Sequence, residues 1–93
     1  MLQEYKENHP GWILYENYIK PLNITQRELA NKIKYPLEEI NEVIAGRMPI
    51  TAKLAVRLTK VFPKTARFWL DMQVTYDIEQ EFKLWKEENG QEE

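Results

Sequence analysis

Apolar positions recur along the chain at helical spacing, and proline, glycine and threonine punctuate them. After Pro10 and Gly11, the residues Trp12, Tyr15 and Ile19 predict a first helix that stops at Pro21. Thr25 and Glu28 have capping-box spacing, so a second helix starts at Thr25 and buries Leu29, Ala30 and Ile33, with Ile24 placed as a hydrophobic staple. Gln26, Arg27, Asn31, Lys32 and Lys34 then face water. Pro36 suits the first turn of a third helix, in which Ile40, Val43 and Ile44 form the apolar face. Ala45-Gly46 ends it, the glycine being free to turn left-handed. A fourth helix starts after Pro49 with Thr51 as cap, buries Leu54, Ala55, Leu58, Val61 and Phe62, and ends before Pro63. A fifth begins at Thr65 and carries Phe68, Trp69, Met72, Val74 and Tyr76, while Ile78, Phe82 and Trp85 continue a weaker helical pattern. The final EENGQEE is too polar to pack. No alternating strand pattern competes, so the expected class is all-α with five or six helices.

Composition narrows the class further. A chain of 93 residues, 43% apolar and 30% charged, supports one globular core. No cysteine is present, which removes disulfides and thiolate metal sites and fits a reducing compartment; no apolar run reaches membrane length, and MLQEYKENHP lacks the layout of a signal peptide. A cytoplasmic protein with no membrane contact is expected.

The net charge of -2 conceals an uneven arrangement. From Val43 to Leu70 the charged residues are Arg47, Lys53, Arg57, Lys60, Lys64 and Arg67, with no acid; from Asp71 onward acids dominate. No enzyme is indicated. His9, the only histidine, has neither a cysteine nor an acidic pair beside it to build a metal site or a triad, and its expected role is to cap the first helix or pack beside Pro10. The glycines are isolated, so there is no phosphate loop, and Glu38 and Glu39, adjacent on a helix, splay about 100° apart. Neither cofactor nor metal is expected. The aromatic residues fall at helical spacing, which favours core and interface over stacking on single-stranded bases.

Two short helices joined by a brief connection, the second bounded by proline and glycine, have the layout of a helix-turn-helix at residues 25–45. The segments HPGWIL, KPLNITQRELANKI, INEVIAGRMPITAKLAVRLTKVF and FWLDMQVTYDIE, in that order and spacing, resemble the HigA (VapI) family of antidote proteins from toxin-antitoxin modules. The resemblance covers residues 9–79, leaving 80–93 as an acidic C-terminal helix or tail. It implies a phage-repressor-like (XRE, Cro/repressor-type) fold of five or six helices with a C-terminal helical extension. It also implies a homodimer that represses from its own operator in double-stranded DNA and neutralises a RelE-like ribonuclease toxin.

Carried over by position, Gln26 and Arg27 approach phosphate or a base edge, and Pro36, Leu37, Glu38, Glu39, Asn41 and Glu42 lie where the third helix meets the major groove. Lys34, Arg47, Thr51 and Lys53 flank it as phosphate contacts. Phe68, Trp69, Met72, Tyr76, Phe82 and Trp85 are the expected dimer-interface residues. The chain departs from the family pattern in its three glutamates, where small polar or basic residues are usual, and in Lys34, where a glycine is usual. One carboxylate can read cytosine N4, but three weaken binding to phosphate. Glu38, Glu39 and Glu42 are therefore open to three readings: base contacts, a solvated face, or a surface for a basic protein partner. The basic series Lys53, Arg57, Lys60, Lys64 and Arg67 is similarly a phosphate track, an acidic-partner surface or a solvated face, with the first three expected on one face of the fourth helix. A solitary regulator of the same fold would have the same sequence features.

Overall fold

The computed structural model describes residues 9–90, and within them every regular element is helical. The first is α1, Pro10–Leu14, opened by His9, whose Nδ1 accepts a hydrogen bond from the Gly11 amide at 2.9 Å. The helical path does not stop at Pro21 as its sequence suggests. It widens into a π-helical turn over Tyr15–Ile19 and tightens into a 3₁₀ turn over Lys20–Leu22 that includes the proline. The wider turn gives the proline ring room where a regular helix would drive it against a carbonyl. Asn23, left-handed at φ 60°, ends the path instead.

Helix α2, Gln26–Ile33, carries the anticipated capping box in full: Glu28 N donates to Thr25 Oγ1 at 2.9 Å, and Thr25 N donates to Glu28 Oε1 at 2.7 Å. Lys34 takes the left-handed conformation, φ 55°, that reverses the chain. This is a conformation a glycine adopts freely and a lysine at a cost of about 1 kcal/mol. Tyr35 N then donates back to Ala30 O at 3.0 Å, and the Tyr35 ring enters the core. Helix α3 runs over Leu37–Ile44, with Pro36 one position earlier than expected, as the cap and not a first-turn residue.

Helix α4, Ala52–Leu58, is shorter than its apolar pattern implies. Lys60, Val61 and Phe62 lie in the turns beyond it, where Lys60 N donates to Arg57 O at 3.1 Å. Helix α5, Ala66–Asn89, is a single helix of 24 residues with Thr65 as cap, and it continues unbroken through residues 79 and 80. Residues 91–93 of the acidic tail lie outside the described residues. No helix among the described residues is long and apolar enough to cross a membrane.

The core gathers Leu14, Ile19, Leu29, Ile33, Ile40, Val43, Ile50, Leu54, Leu58, Phe62 and Trp69, drawn from every helix. Trp69 is fully buried and ringed edge-on by Tyr18 at 4.9 Å, Phe68 at 5.1 Å and Phe62 at 6.0 Å between centroids. Such T-shaped contacts suit the ring quadrupoles. Trp69 therefore has no surface left to give a dimer interface, contrary to its sequence assignment. Among the described residues, the polar side chains of His9 and Gln73 are also buried. Beyond the core, α5 projects: the radius of gyration, 14.7 Å, exceeds the roughly 12 Å of a compact chain of this length. Every residue from Glu81 to Gly90 is exposed.

Candidate nucleic-acid interface

Helices α2 and α3 meet across the reversed turn at Lys34, and one side-chain bond joins their outer faces: Gln26 Nε2 donates to Asn41 Oδ1. Gln26 stands in the first turn of α2 and Asn41 midway along α3, so this bond fixes the two surfaces against each other. Beside it, Arg27, Lys34 and Pro36 are exposed, while Leu37 turns partly inward against the core.

Each of the three glutamates has a local reason to be on α3. The helix has no side-chain cap at Pro36, and Glu38 and Glu39 occupy its first turn, where negative charge complements the unpaired amides and the helix dipole. Glu38 is exposed and Glu39 half-buried. Glu42 is engaged differently. The end of α3 forms a Schellman reversal in which Gly46 N donates to Val43 O at 2.9 Å and Arg47 N to Glu42 O at 2.9 Å, with Gly46 left-handed at φ 81°. That reversal stacks residue 47 over residue 42. The Arg47 guanidinium then grips the Glu42 carboxylate side-on, Nε to Oε1 at 2.8 Å and Nη2 to Oε2 at 3.1 Å. The hydrogen bond from Arg47 lowers the carboxylate's pKa and raises that of the guanidinium. Because the Glu42 pKa is depressed, the pair is present above the ordinary carboxylate range and is lost as pH falls through the lowered value.

Arg47 is thus not an independent cation beyond the helix end, as its sequence position suggests. Thr51 is exposed and its hydroxyl accepts from Leu54 N at 3.3 Å as the α4 cap, which leaves its O–H to donate elsewhere. Lys53 lies over the Tyr35 ring with Nζ 5.9 Å from its centroid. Among the further cations of the expected stripe, Lys60 borders a hollow of about 460 Å³ with Leu22, Ile24, Lys32 and Val61, Lys64 sits 4.9 Å above the Phe68 ring, and Arg67 lies 3.9 Å from Asp71.

Of the residues assigned to a dimer interface, Phe68, Met72 and Tyr76 are half-buried, whereas Phe82 and Trp85 are 66% and 52% exposed. Tyr76 packs edge-on against His9 at 4.8 Å, and burial, then the Asp77 charge, raises its hydroxyl pKa. Sequence reasoning did not group Val74 and Ile78 with these interface residues, and both are exposed. They extend Phe82 and Trp85 into an exposed apolar seam at spacings of 4, 4 and 3 residues, on the side of α5 away from Trp69 and Gln73. It also missed Gln73, which is buried: its Oε1 accepts from Ile50 N at 2.7 Å and its Nε2 donates to Asp77 Oδ1 at 3.0 Å, tying α5 to the approach to α4. The signal was a polar residue on the core side of the helical pattern.

No family model matches the chain. It is 40% identical over 70 residues to virulence-associated protein I of Dichelobacter nodosus, a match that covers 75% of this chain and 65%, just under two thirds, of that relative. Among solved structures, an addiction module antidote protein of the HigA family from Coxiella burnetii superposes with a TM-score of 0.79 at 33% identity, covering 91% of this chain and 92% of that one. The Pseudomonas aeruginosa antitoxin HigA, solved with the higBA promoter, superposes with a TM-score of 0.81 at 26% identity over 91% of this chain and 92% of its own. The arrangement of α2 and α3 and these likenesses agree, and the chain belongs to the HigA family of helix-turn-helix antidote proteins.

Proposed function

We infer that the chain is an operator-binding transcriptional repressor that serves as the antitoxin of a type II toxin-antitoxin module, acting in the cytoplasm as a homodimer and neutralising a RelE-like ribonuclease toxin. The observation that carries this reading is the pair of outward faces of α2 and α3, fixed together by Gln26 and Asn41. A relative of the same fold was solved with its promoter, which supports the same use here. In this reading α3 enters the major groove from Pro36 to Glu42, Gln26 and Arg27 hold the edge of the groove, and Lys34, Thr51 and Lys53 meet phosphate. Neither metal nor cofactor is needed. The function is tested by selecting binders from a random duplex pool and measuring the enriched sequences across a salt series. A palindrome with half-sites about 34–36 Å apart and a falling log-log salt slope is expected; a folded protein that enriches nothing contradicts it.

Within the selected complex, Gln26→Ala and Arg27→Ala are expected to weaken binding by about 1–3 kcal/mol each, with unchanged helical circular dichroism. Only Arg27→Ala should also flatten the salt slope, by about one unit. Wild-type affinity in both variants would discard this docking.

The homodimer is assigned to the apolar seam of α5, with Val74, Ile78, Phe82 and Trp85 of two copies packed together. Sedimentation equilibrium of Phe82→Glu and Trp85→Glu is expected to give monomers of native helicity, since both side chains project beyond the core. A variant that remains dimeric would move the interface elsewhere.

A further inference from the structure

We propose that Glu42 is a latch on Arg47, withholding its guanidinium from DNA phosphate in the free protein and thereby lowering the affinity of the surface and its dependence on salt. The proposal rests on the DNA-binding reading above and names a control built into that site. Its basis is geometric. A Schellman reversal brings the third residue before the cap and the second after it together, and an apolar contact usually fills that place. Here the two are Glu42 and Arg47, and the backbone bond from Arg47 N to Glu42 O holds them in register whatever the side chains do. The guanidinium uses Nε and Nη2 on the two carboxylate oxygens, the planar fork that an arginine makes best and a lysine cannot. The Arg47 side chain is nevertheless 63% exposed and that of Glu42 41%, so the pair opens without disturbing the core. An isolated surface ion pair is weak. A phosphate nearby, carrying the same kind of oxygen, therefore competes with Glu42 for the guanidinium on nearly equal terms. The latch makes one cation conditional: closed, the pair contributes no net charge to the approach to DNA; open, it supplies a phosphate contact but exposes a carboxylate to the same backbone.

The experiment compares Glu42→Gln with Glu38→Gln, which removes the same charge from the same helix but touches no arginine, using the duplex enriched by the wild-type protein. Both variants gain affinity from the lost charge. Glu42→Gln is expected to gain roughly three- to tenfold more at low salt and to steepen the log-log salt slope by about 0.9, the signature of one further phosphate contact. Arg47→Gln is then expected to lower affinity in the wild-type background by about as much as Glu38→Gln raises it, because the Glu42 charge is left unanswered, and to abolish the additional gain in the Glu42→Gln background. Equal gains with equal slopes in Glu42→Gln and Glu38→Gln would overturn the latch, as would a loss of affinity in Glu42→Gln, which would make Glu42 a base reader or an orienting partner of Arg47. Binding by neither the wild type nor any variant, from folded protein, would overturn the DNA reading and the latch with it. That outcome is told apart from failure of the latch alone, in which the wild type still binds.

Discussion

Replacing Gly11 with alanine is expected to destabilise the protein by about 4 kcal/mol or more, near the limit of what one methyl group does. The added Cβ would stand 1.7 Å from the Val43 carbonyl oxygen, 2.5 Å from its carbon and 3.1 Å from Ile44 Cα. All three are backbone atoms, so no side chain can swing aside. Helix α1 would have to withdraw from the last turn of α3, breaking the packing of Leu14 and Val43 in the core. The sign makes the test sharp. Alanine outranks glycine in helix propensity by about 1 kcal/mol, so a glycine whose only task was to sit in a helix would be improved by the change. Thermal unfolding followed by circular dichroism is expected to show a midpoint lowered by roughly 20 °C, taking about 5 °C per kcal/mol for a domain of this size. A midpoint equal to or above the wild type would refute the close approach.

Gln73→Met is expected to cost about 1–3 kcal/mol, although it preserves the length of the side chain and removes a buried polar group. The loss comes from the other partner. Ile50, itself buried, loses the Oε1 to which its amide donates at 2.7 Å, and that amide is left without an acceptor just before the α4 cap. Gln73→Glu separates this bond from the second one. It keeps an oxygen for Ile50 N but sets a carboxylate against Asp77 Oδ1, where the native Nε2 donates at 3.0 Å. Proximity to a second carboxylate disfavours ionisation in the folded state, so the folded pKa at position 73 is raised. The stability of this variant is then retained at low pH and lost as pH rises through that value. Denaturant melts of both variants at acid and neutral pH check this: Gln73→Glu should approach wild-type stability in acid and fall away at neutral pH, whereas the deficit of Gln73→Met should change little. Equal behaviour of the two would mean that the Asp77 contact contributes nothing.

What the sequence revealed and what it concealed follow from the range of each interaction. The Thr25–Glu28 box, the stop at Gly46 and the caps at Thr51 and Thr65 are local, each set within a few residues, and all are visible in the chain as written. The periodic core positions of α2 and α3 are equally plain. The pattern misleads where apolar residues belong to turns: Val61 and Phe62 extend the rhythm of α4 past its end at Leu58, and Tyr35 is buried from a reversal that has no period. The close approach of Gly11 to Val43 depends on two elements far apart in sequence, and nothing near Gly11 announces it. The bond between Glu42 and Arg47 hides for a different reason. Five residues is the wrong spacing for a pair on one helical face, and the two meet only because the chain reverses at Gly46. With that reversal, one of the three glutamates that weigh against DNA has its charge answered.

Helix α5 contains neither glycine nor proline between Ala66 and Asn89, and its 24 residues make a rod about 36 Å long. One end is clamped, with Trp69 embedded among aromatic rings and Gln73 bonded to the backbone at Ile50. The other end stands clear of the body, carrying Phe82 and Trp85. In mechanical terms it is a lever without a glycine or proline hinge: a load applied at Trp85 is carried along the helix to the fulcrum at Trp69 and Gln73, and through Ile50 to the start of α4.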